Sequence, residues 1–401
     1  MLLELVLALL LGIVAGTIAG LLPGVHSNLI AVFLVSTSVL FIPYFPPIVL
    51  VVFIVAMATC QSFLDFIPSI FLGAPDEDSV LSVLPGHEML IKGKGYEAVI
   101  YTLYRSIIAI PIILLLSPLF VLFLPSIFSY LQLIMFFILL SSSLYLIFRE
   151  KTNKIWALIV FLLSGFLGIA TLNLNLQESL LPLLTGLFGS SSLITSIMKK
   201  TKLPEQEIKK LREIKVSKGE LGKISLASIL SAPLCSFLPA LGSSQAAVIG
   251  LDIIGETNQK QFLILLGSLN TIVMGLSFVT LYSIQKSRTG SAVAISKLLQ
   301  ISFSDLFIIL FAILFAGILA FFLTIFIAKF FAGKISHLNY NKLSIFILLF
   351  LSAVVLFFSG FLGFLIFITA TFTGLIAILI GVRRTNLMGS LMLPTILFYA
   401  P

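Results

Sequence analysis

The residues able to do chemistry fall into a few clusters in a chain that spends charge sparingly. Pro23-Gly24-Val25-His26-Ser27-Asn28 interrupts an apolar stretch. Proline has no N–H to donate and glycine reaches backbone angles closed to other residues, so the pair breaks a helix. Ser27 or Asn28 can then cap the next helix. The freed N–H groups and the positive end of that helix's dipole form an anion site. His26 is either a ligand-binding side chain or a hydrogen-bonded core histidine. Pro239-Ala240-Leu241-Gly242-Ser243-Ser244-Gln245 offers the same arrangement in the second half. Broken backbone at membrane depth survives only where it is buried in protein or lines a wet cavity. Pro23, Gly24, His26, Ser27 and Asn28, with Pro239, Gly242, Ser243, Ser244 and Gln245, are therefore the expected substrate-binding residues.

A second set suits ion coupling or gating. Asp65 sits in an apolar run, where an ionised carboxylate is costly. Asp76, Glu77 and Asp78 form an acidic cluster beside Pro75, with His87 and Glu88 close behind. Such a cluster could hold a hard cation, shuttle protons, or simply be solvated. Asn270, in the middle of the apolar SLNTIVMG, is an uncharged amide suited to coordinating Na⁺ or bonding a neighbouring helix. Arg288 lies in the polar loop SIQKSRTGS. Asp65, Asp76, Asp78, His87, Asn270 and Arg288 are the expected coupling or gating residues. Arg105 is the lone cation of its apolar segment and either snorkels to the surface or pairs with an anionic substrate.

The catalytic motifs are missing. There are three histidines, no H-E-x-x-H, no G-x-S-x-G and no G-x-x-x-x-G-K-[ST]. The two cysteines, Cys60 and Cys235, lie in apolar surroundings and read as small buried hydrophobes. No catalytic residue, metal ion or cofactor is expected. An intramembrane enzyme built on His26, His87 and the acids between Asp65 and Glu88 is the least favoured reading.

The elements that must position these residues follow from composition. Hydrophobic residues make up 59% of the 401, and charged residues only 10%, against about 25% in soluble domains. That excludes a soluble enzyme, a nucleic-acid binder and a disordered chain, and it predicts an all-α polytopic protein of the cell membrane. Ten to twelve crossings are expected, the first beginning at the N-terminus without the basic leader of a cleaved signal. One polar stretch stands out. Residues 199–223 carry nine Lys and Arg against four Glu, more than half of the chain's net +8. By the positive-inside rule this linker is cytoplasmic. It separates two transmembrane repeats, 1–198 and 224–401. Each opens with a helix, a proline-marked break, a second helix, an apolar span and a polar loop. Counting crossings from the linker gives the two halves opposite orientation. Inverted repeats with broken helices are how secondary transporters build a midplane site. Gly12, Gly16 and Gly20 give a small-residue face for close helix packing.

The chain resembles the large membrane subunit of the tripartite tricarboxylate transporters, the TctA family, as a short, divergent, archaeal-type branch. Four places carry the likeness: Gly20-Leu21-Leu22-Pro23-Gly24; Gly73-Ala74-Pro75 followed by Pro85-Gly86-His87 and Gly93-Lys94-Gly95-Tyr96-Glu97-Ala98; Leu184-Thr185-Gly186-Leu187-Phe188-Gly189; and Pro239-Ala240-Leu241-Gly242. Departures are Ala240 where the family has glycine, the acidic Asp76-Glu77-Asp78 where it is small and neutral, and a shorter chain. The resemblance implies a secondary transporter for a small organic anion, a di- or tricarboxylate, driven by Na⁺ or H⁺. It also implies two partners, a small membrane subunit and an extracytoplasmic binding protein. The same breaks would also suit a lipid phosphate headgroup, which keeps translocation of a polyprenyl phosphate open as an alternative.

Overall fold

The computed structural model describes the chain except for residues 23–29, 32–33, 36, 39–40, 42, 74–82, 151–152, 175, 177–178, 199–202, 238–242, 256–257, 287–288, 338 and 401. The side chains of 83–84, 218, 234, 237, 244–245, 248 and 252–254 are also outside the description. The protein is an all-α polytopic membrane protein, and eight of its described helical stretches are long and apolar enough to cross a bilayer.

In the first half these are α1 (Leu2–Leu21) and α2 (Pro47–Leu64), which continues through Phe66–Phe71. The short α3 (Val83–Ile91) precedes the long α4 (Gly95–Leu133). Then come α5 (Met135–Phe148), α6 (Lys154–Leu172), and a stretch from Leu180 that passes through a π-helical turn, Thr185–Ser190, into α7 (Ser191–Met198). The second half has α8 (Lys218–Phe237), α9 (Ser243–Ile254), α10 (Gln259–Ile284), α11 (Gly290–Leu298), α12 (Phe303–Ile335), α13 (Tyr340–Ile380) and α14 (Gly389–Phe398). Local chemistry starts several of them. Thr289 caps α11 by accepting from Ala292 N at 3.3 Å. Ser302 and Asp305 form a reciprocal capping box on α12.

Two helices form the centre. The most apolar stretch of α2 with its continuation is 83% buried and that of α10 is 89% buried, against 22–67% for the other six long stretches. Glycine sets the close approaches. Gly12, Gly16 and Gly20 of α1 meet Phe53, Met57 and Leu64 in the same order, so α1 runs parallel to α2 with no room for a methyl group between them. Gly267 and Gly275 of α10 meet Thr102 and Ile113 of α4, again in parallel. The small-residue face expected on α1 is the one it uses.

One end of the bundle is marked by the linker. Gln206 Oε1 accepts from Gly95 N at 2.8 Å, Lys209 pairs with Glu97 at 3.2 Å, and Lys260 pairs with Glu220 at 3.3 Å. The first turns of α4, α8 and α10 therefore lie on the linker face. Phe71, at the end of α2's continuation, packs against Phe331 of α12 with ring centroids 6.1 Å apart and faces Gly95. So α1, α2 and α12 finish where α8, α10 and α4 begin. The matched lengths follow the same pairing. They are 20 and 20 residues for α1 and α8, 25 and 26 for α2 with its continuation and α10, and 9 and 9 for α3 and α11.

Two long helices treat proline and glycine in opposite ways. Proline interrupts helices in water, yet α4 runs through Pro111, Pro118 and Pro125 and turns only at Ile134. Tertiary packing and local adjustments tolerate proline inside membrane helices. Conversely, α13 is two crossings. Gly360 has φ 66° and ψ −168°. Leu193 lies beside Tyr340, and Ser191 beside Gly374, though a straight helix would set Tyr340 and Gly374 about 51 Å apart. The chain reverses at Gly360, where Ser359-Gly360 separates two apolar runs.

Candidate functional site

The polar residues of the centre lie on one stripe. Thr59, Ser62, Asp65 and Ser69 recur every three or four residues along α2 and its continuation, each no more than 4% exposed. That spacing puts them on a single helical face. Opposite, α10 presents Asn270, which is 2% exposed. Its Nδ2 donates to Asp65 Oδ2 at 3.0 Å and to the Ser62 carbonyl at 3.2 Å. Two of the expected coupling residues, from opposite halves of the chain, are thus joined inside the protein's most buried helix pair. A carboxylate here is expensive to ionise. The amide donor stabilises the charge partly; a proton or a bound cation would neutralise it.

His87 of α3 sits elsewhere, near the linker face. Its Nε2 is 3.3 Å from Ser196 Oγ and its Nδ1 is 3.5 Å from the Tyr340 hydroxyl, with the two rings 5.7 Å apart. It ties the end of α7 to the start of α13. The neighbouring Glu88 accepts from Gln259 Nε2 at the start of α10.

The described residues reach the edges of both expected breaks. The last residue of α1 is Leu21 and Leu22 is extended, as the residue before a proline prefers. On the other side of the linker, α8 stops at Phe237 and α9 starts at Ser243, which is buried. Pro23, Gly24, His26, Ser27, Asn28, Pro239, Gly242, Asp76, Asp78 and Arg288 lie outside the described residues, as do the side chains of Ser244 and Gln245. Among the described residues, no three His, Cys, Asp or Glu gather as a metal site.

Two arginines matter that the expected site left out. Arg105 does not snorkel: it is 1% exposed, and its Nη1 donates to Ser225 Oγ of α8 at 2.6 Å. Arg384 serves the π-helical turn. Its Nη1 donates to Ser192 Oγ at 2.6 Å, and its Nη2 donates to Ser191 Oγ at 3.2 Å and to the carbonyls of Leu187 and Phe188. A π-turn misaligns the carbonyl ladder, and the guanidinium takes up two of the acceptors. Burial pushes Arg384 down to about 10. The turn itself packs on α13, where Gly186 faces Ala370 and Gly374 faces Leu187. Its sequence, Thr185-Gly186-Leu187-Phe188-Gly189, is one of the motifs that carry the family resemblance. The signal that could have marked its partner was an arginine following an apolar helix that has no acid nearby.

An apolar groove of about 600 Å³ lies between α4 and α12, walled by residues such as Leu114, Pro118, Phe307 and Phe311. Its single hydroxyl, Ser117, already donates to the Ile113 carbonyl at 2.6 Å.

Comparison with known proteins adds the following. The family model described as "Tripartite tricarboxylate transporter TctA family" matches residues 6–389. The chain is 30% identical to an uncharacterized protein of Methanocaldococcus jannaschii, over 94% of each chain. No solved structure matches.

Proposed function

Because the chain belongs to the tripartite tricarboxylate transporter TctA family, we propose that it carries a small organic anion, a di- or tricarboxylate, across the cell membrane by secondary active transport. It is a multi-pass subunit of a transport system that has partner subunits and a substrate. The proposed partners are a small membrane subunit and an extracytoplasmic binding protein. The substrate would sit between the breaks at Pro23–Asn28 and Pro239–Gln245. There, helix N-termini hold its charge, and Ser, Asn and Gln side chains orient it.

The observation that carries this reading is the Asp65–Asn270 hydrogen bond. It puts an ionisable group where α2 and α10 meet, and these two helices run in opposite directions in the two halves. The matched lengths and opposed directions of α1 and α8, and the opposed directions of α4 and α12, support an inverted repeat over 1–198 and 224–401 around the cytoplasmic linker 199–223. In such folds, one repeat moves against the other about a fixed site. A residue pair between the repeats can feel both the coupling ion and the conformation. Asp65 is the proposed coupling group for Na⁺ or H⁺.

The lipid-phosphate alternative draws less support. The groove between α4 and α12 has the lateral position it needs, but its one hydroxyl has its proton committed to a carbonyl. A phosphate would find no donor along that wall.

The test is uptake of labelled citrate and succinate into proteoliposomes holding the protein with its partner subunits, under imposed Na⁺ or H⁺ gradients. Accumulation should require one gradient and fall about tenfold or more in Asn28→Ala and in Ser244→Ala, each of which removes a charge-assisted contact. Wild-type protein that accumulates no di- or tricarboxylate under either gradient would remove this reading.

A further inference from the structure

Arg105 is a full positive charge held inside the bundle with no opposing acid among the described residues. Arginine stays protonated under physiological conditions. It lies ten residues into α4, which is about 15 Å of helix. Its neighbour Tyr104 donates to the linker carbonyl of Leu211 at 2.6 Å, so Arg105 sits just inside the linker face. It is the largest fully buried side chain among the described residues. Among the described residues no carboxylate pairs with it. Its Nη1 is held by Ser225, while Nε and Nη2 have no hydrogen-bond partner. The adjacent hydroxyls of α4 direct their protons to carbonyls, Thr102 to Val99 and Ser106 to Thr102 and Gly267. An unpaired buried charge is strongly destabilising, so a protein that keeps one has a use for it.

The position of the unpartnered nitrogens identifies that use. Nε–H and the Nη2–H beside it project from the same edge of the planar guanidinium. That edge matches the two oxygens of a carboxylate in a bidentate pair. The structure thus leaves open the edge that grips a carboxylate and engages the opposite nitrogen with a serine. We propose that the Nε–Nη2 edge of Arg105 is the receptor for one carboxylate of the transported substrate, with Ser225 holding the guanidinium in register.

This deepens the carboxylate reading above and rests on it. Ser225 belongs to α8, the helix that leads into the second-half break, and it is itself partly exposed. In the present conformation Arg105 is sealed. Parting α8 from α4 would break the Arg105–Ser225 hydrogen bond and open the edge toward the linker face. Twelve residues of α8, about 18 Å of helix, separate Ser225 from Phe237, so this edge takes the substrate at the linker face, before it reaches the break.

Purified full-length protein tests this with citrate, succinate and inorganic phosphate as probes, read by titration calorimetry and by thermal shift. Arg105→Lys keeps the charge and loses the edge; Arg105→Met loses both. Citrate should stabilise the wild type, and Arg105→Lys should weaken its affinity about tenfold or more, since one point charge replaces two parallel bonds. Without citrate, Arg105→Met should melt no lower than the wild type, because it removes an uncompensated charge rather than a support. A merely structural arginine would do the opposite, lowering the melting temperature and leaving the affinity of the surviving folded variant unchanged. Equal citrate affinity in wild type and Arg105→Lys overturns the Arg105 assignment alone. A wild type stabilised by no carboxylate overturns it together with the carboxylate reading. A wild type stabilised by phosphate only, with that response lost in Arg105→Lys, overturns the carboxylate class and leaves the transport route to be assigned to another oxyanion.

Discussion

At the scale of single residues, the interior of this protein is defined by polar groups that cannot reach water. Asn270 gives both protons of its amide to α2, one to a carboxylate and one to a carbonyl. Removing it leaves two buried acceptors without that donor, at a cost of about 1–3 kcal/mol. Asn270→Ala should therefore lower stability by that amount in detergent unfolding. In an Asp65→Asn background the same substitution should cost measurably less, because coupled neighbours are not additive. Equal costs in the two backgrounds would mean that the pair is not energetically coupled. Part of this was readable beforehand. Asp65 and Asn270 stood out as polar groups in apolar runs, and the recurrence of Thr59, Ser62, Asp65 and Ser69 marks a face. Their meeting was not readable, because sequence spacing fixes neither the rotation of a helix nor its partner. Arg105 shows the same limit: the snorkelling of a long side chain depends on what surrounds it, and here α8 covers it.

At the scale of elements, glycine does two different jobs. Gly267 admits the backbone of Thr102, and a side chain there would collide with it. Gly360 has nothing within reach of a Cβ, yet its φ of 66° with ψ −168° is a conformation reserved almost wholly for glycine. Gly360→Ala isolates that conformational cost and should destabilise by about 1–3 kcal/mol with no steric contribution. Unchanged thermal stability would contradict a chain reversal at this point. Helix ends were the most legible features. The end of α1 before Pro23 and the reversal at Gly360 both fall where proline or glycine punctuates the sequence. The run of α4 past Pro125 was not legible, because the surroundings decide whether a membrane helix tolerates a proline. The π-turn at Thr185–Ser190 was likewise hidden, since its stabilising arginine lies far along the chain.

At the scale of the molecule, the charge distribution and the helix directions tell one story. The linker gathers the basic residues and the first turns of α4, α8 and α10 on one face. α2 and α12 arrive at that face from the other side. Two central helices of opposite sense, one from each half, meet through Asp65 and Asn270. If the halves move against each other during transport, this contact is where a coupling ion can bias the motion. An Asp65→Asn protein should then still exchange substrate, since the substrate's own contacts survive, but lose the ability to accumulate it against a gradient. The most direct measurement compares gradient-driven citrate accumulation with citrate exchange in the same reconstituted vesicles. For Asp65→Asn, accumulation is predicted to fall to about a tenth or less, while exchange stays within about twofold of wild type, because neutralising a buried acid removes the ion and not the pathway. Full gradient-driven accumulation by Asp65→Asn would contradict the account.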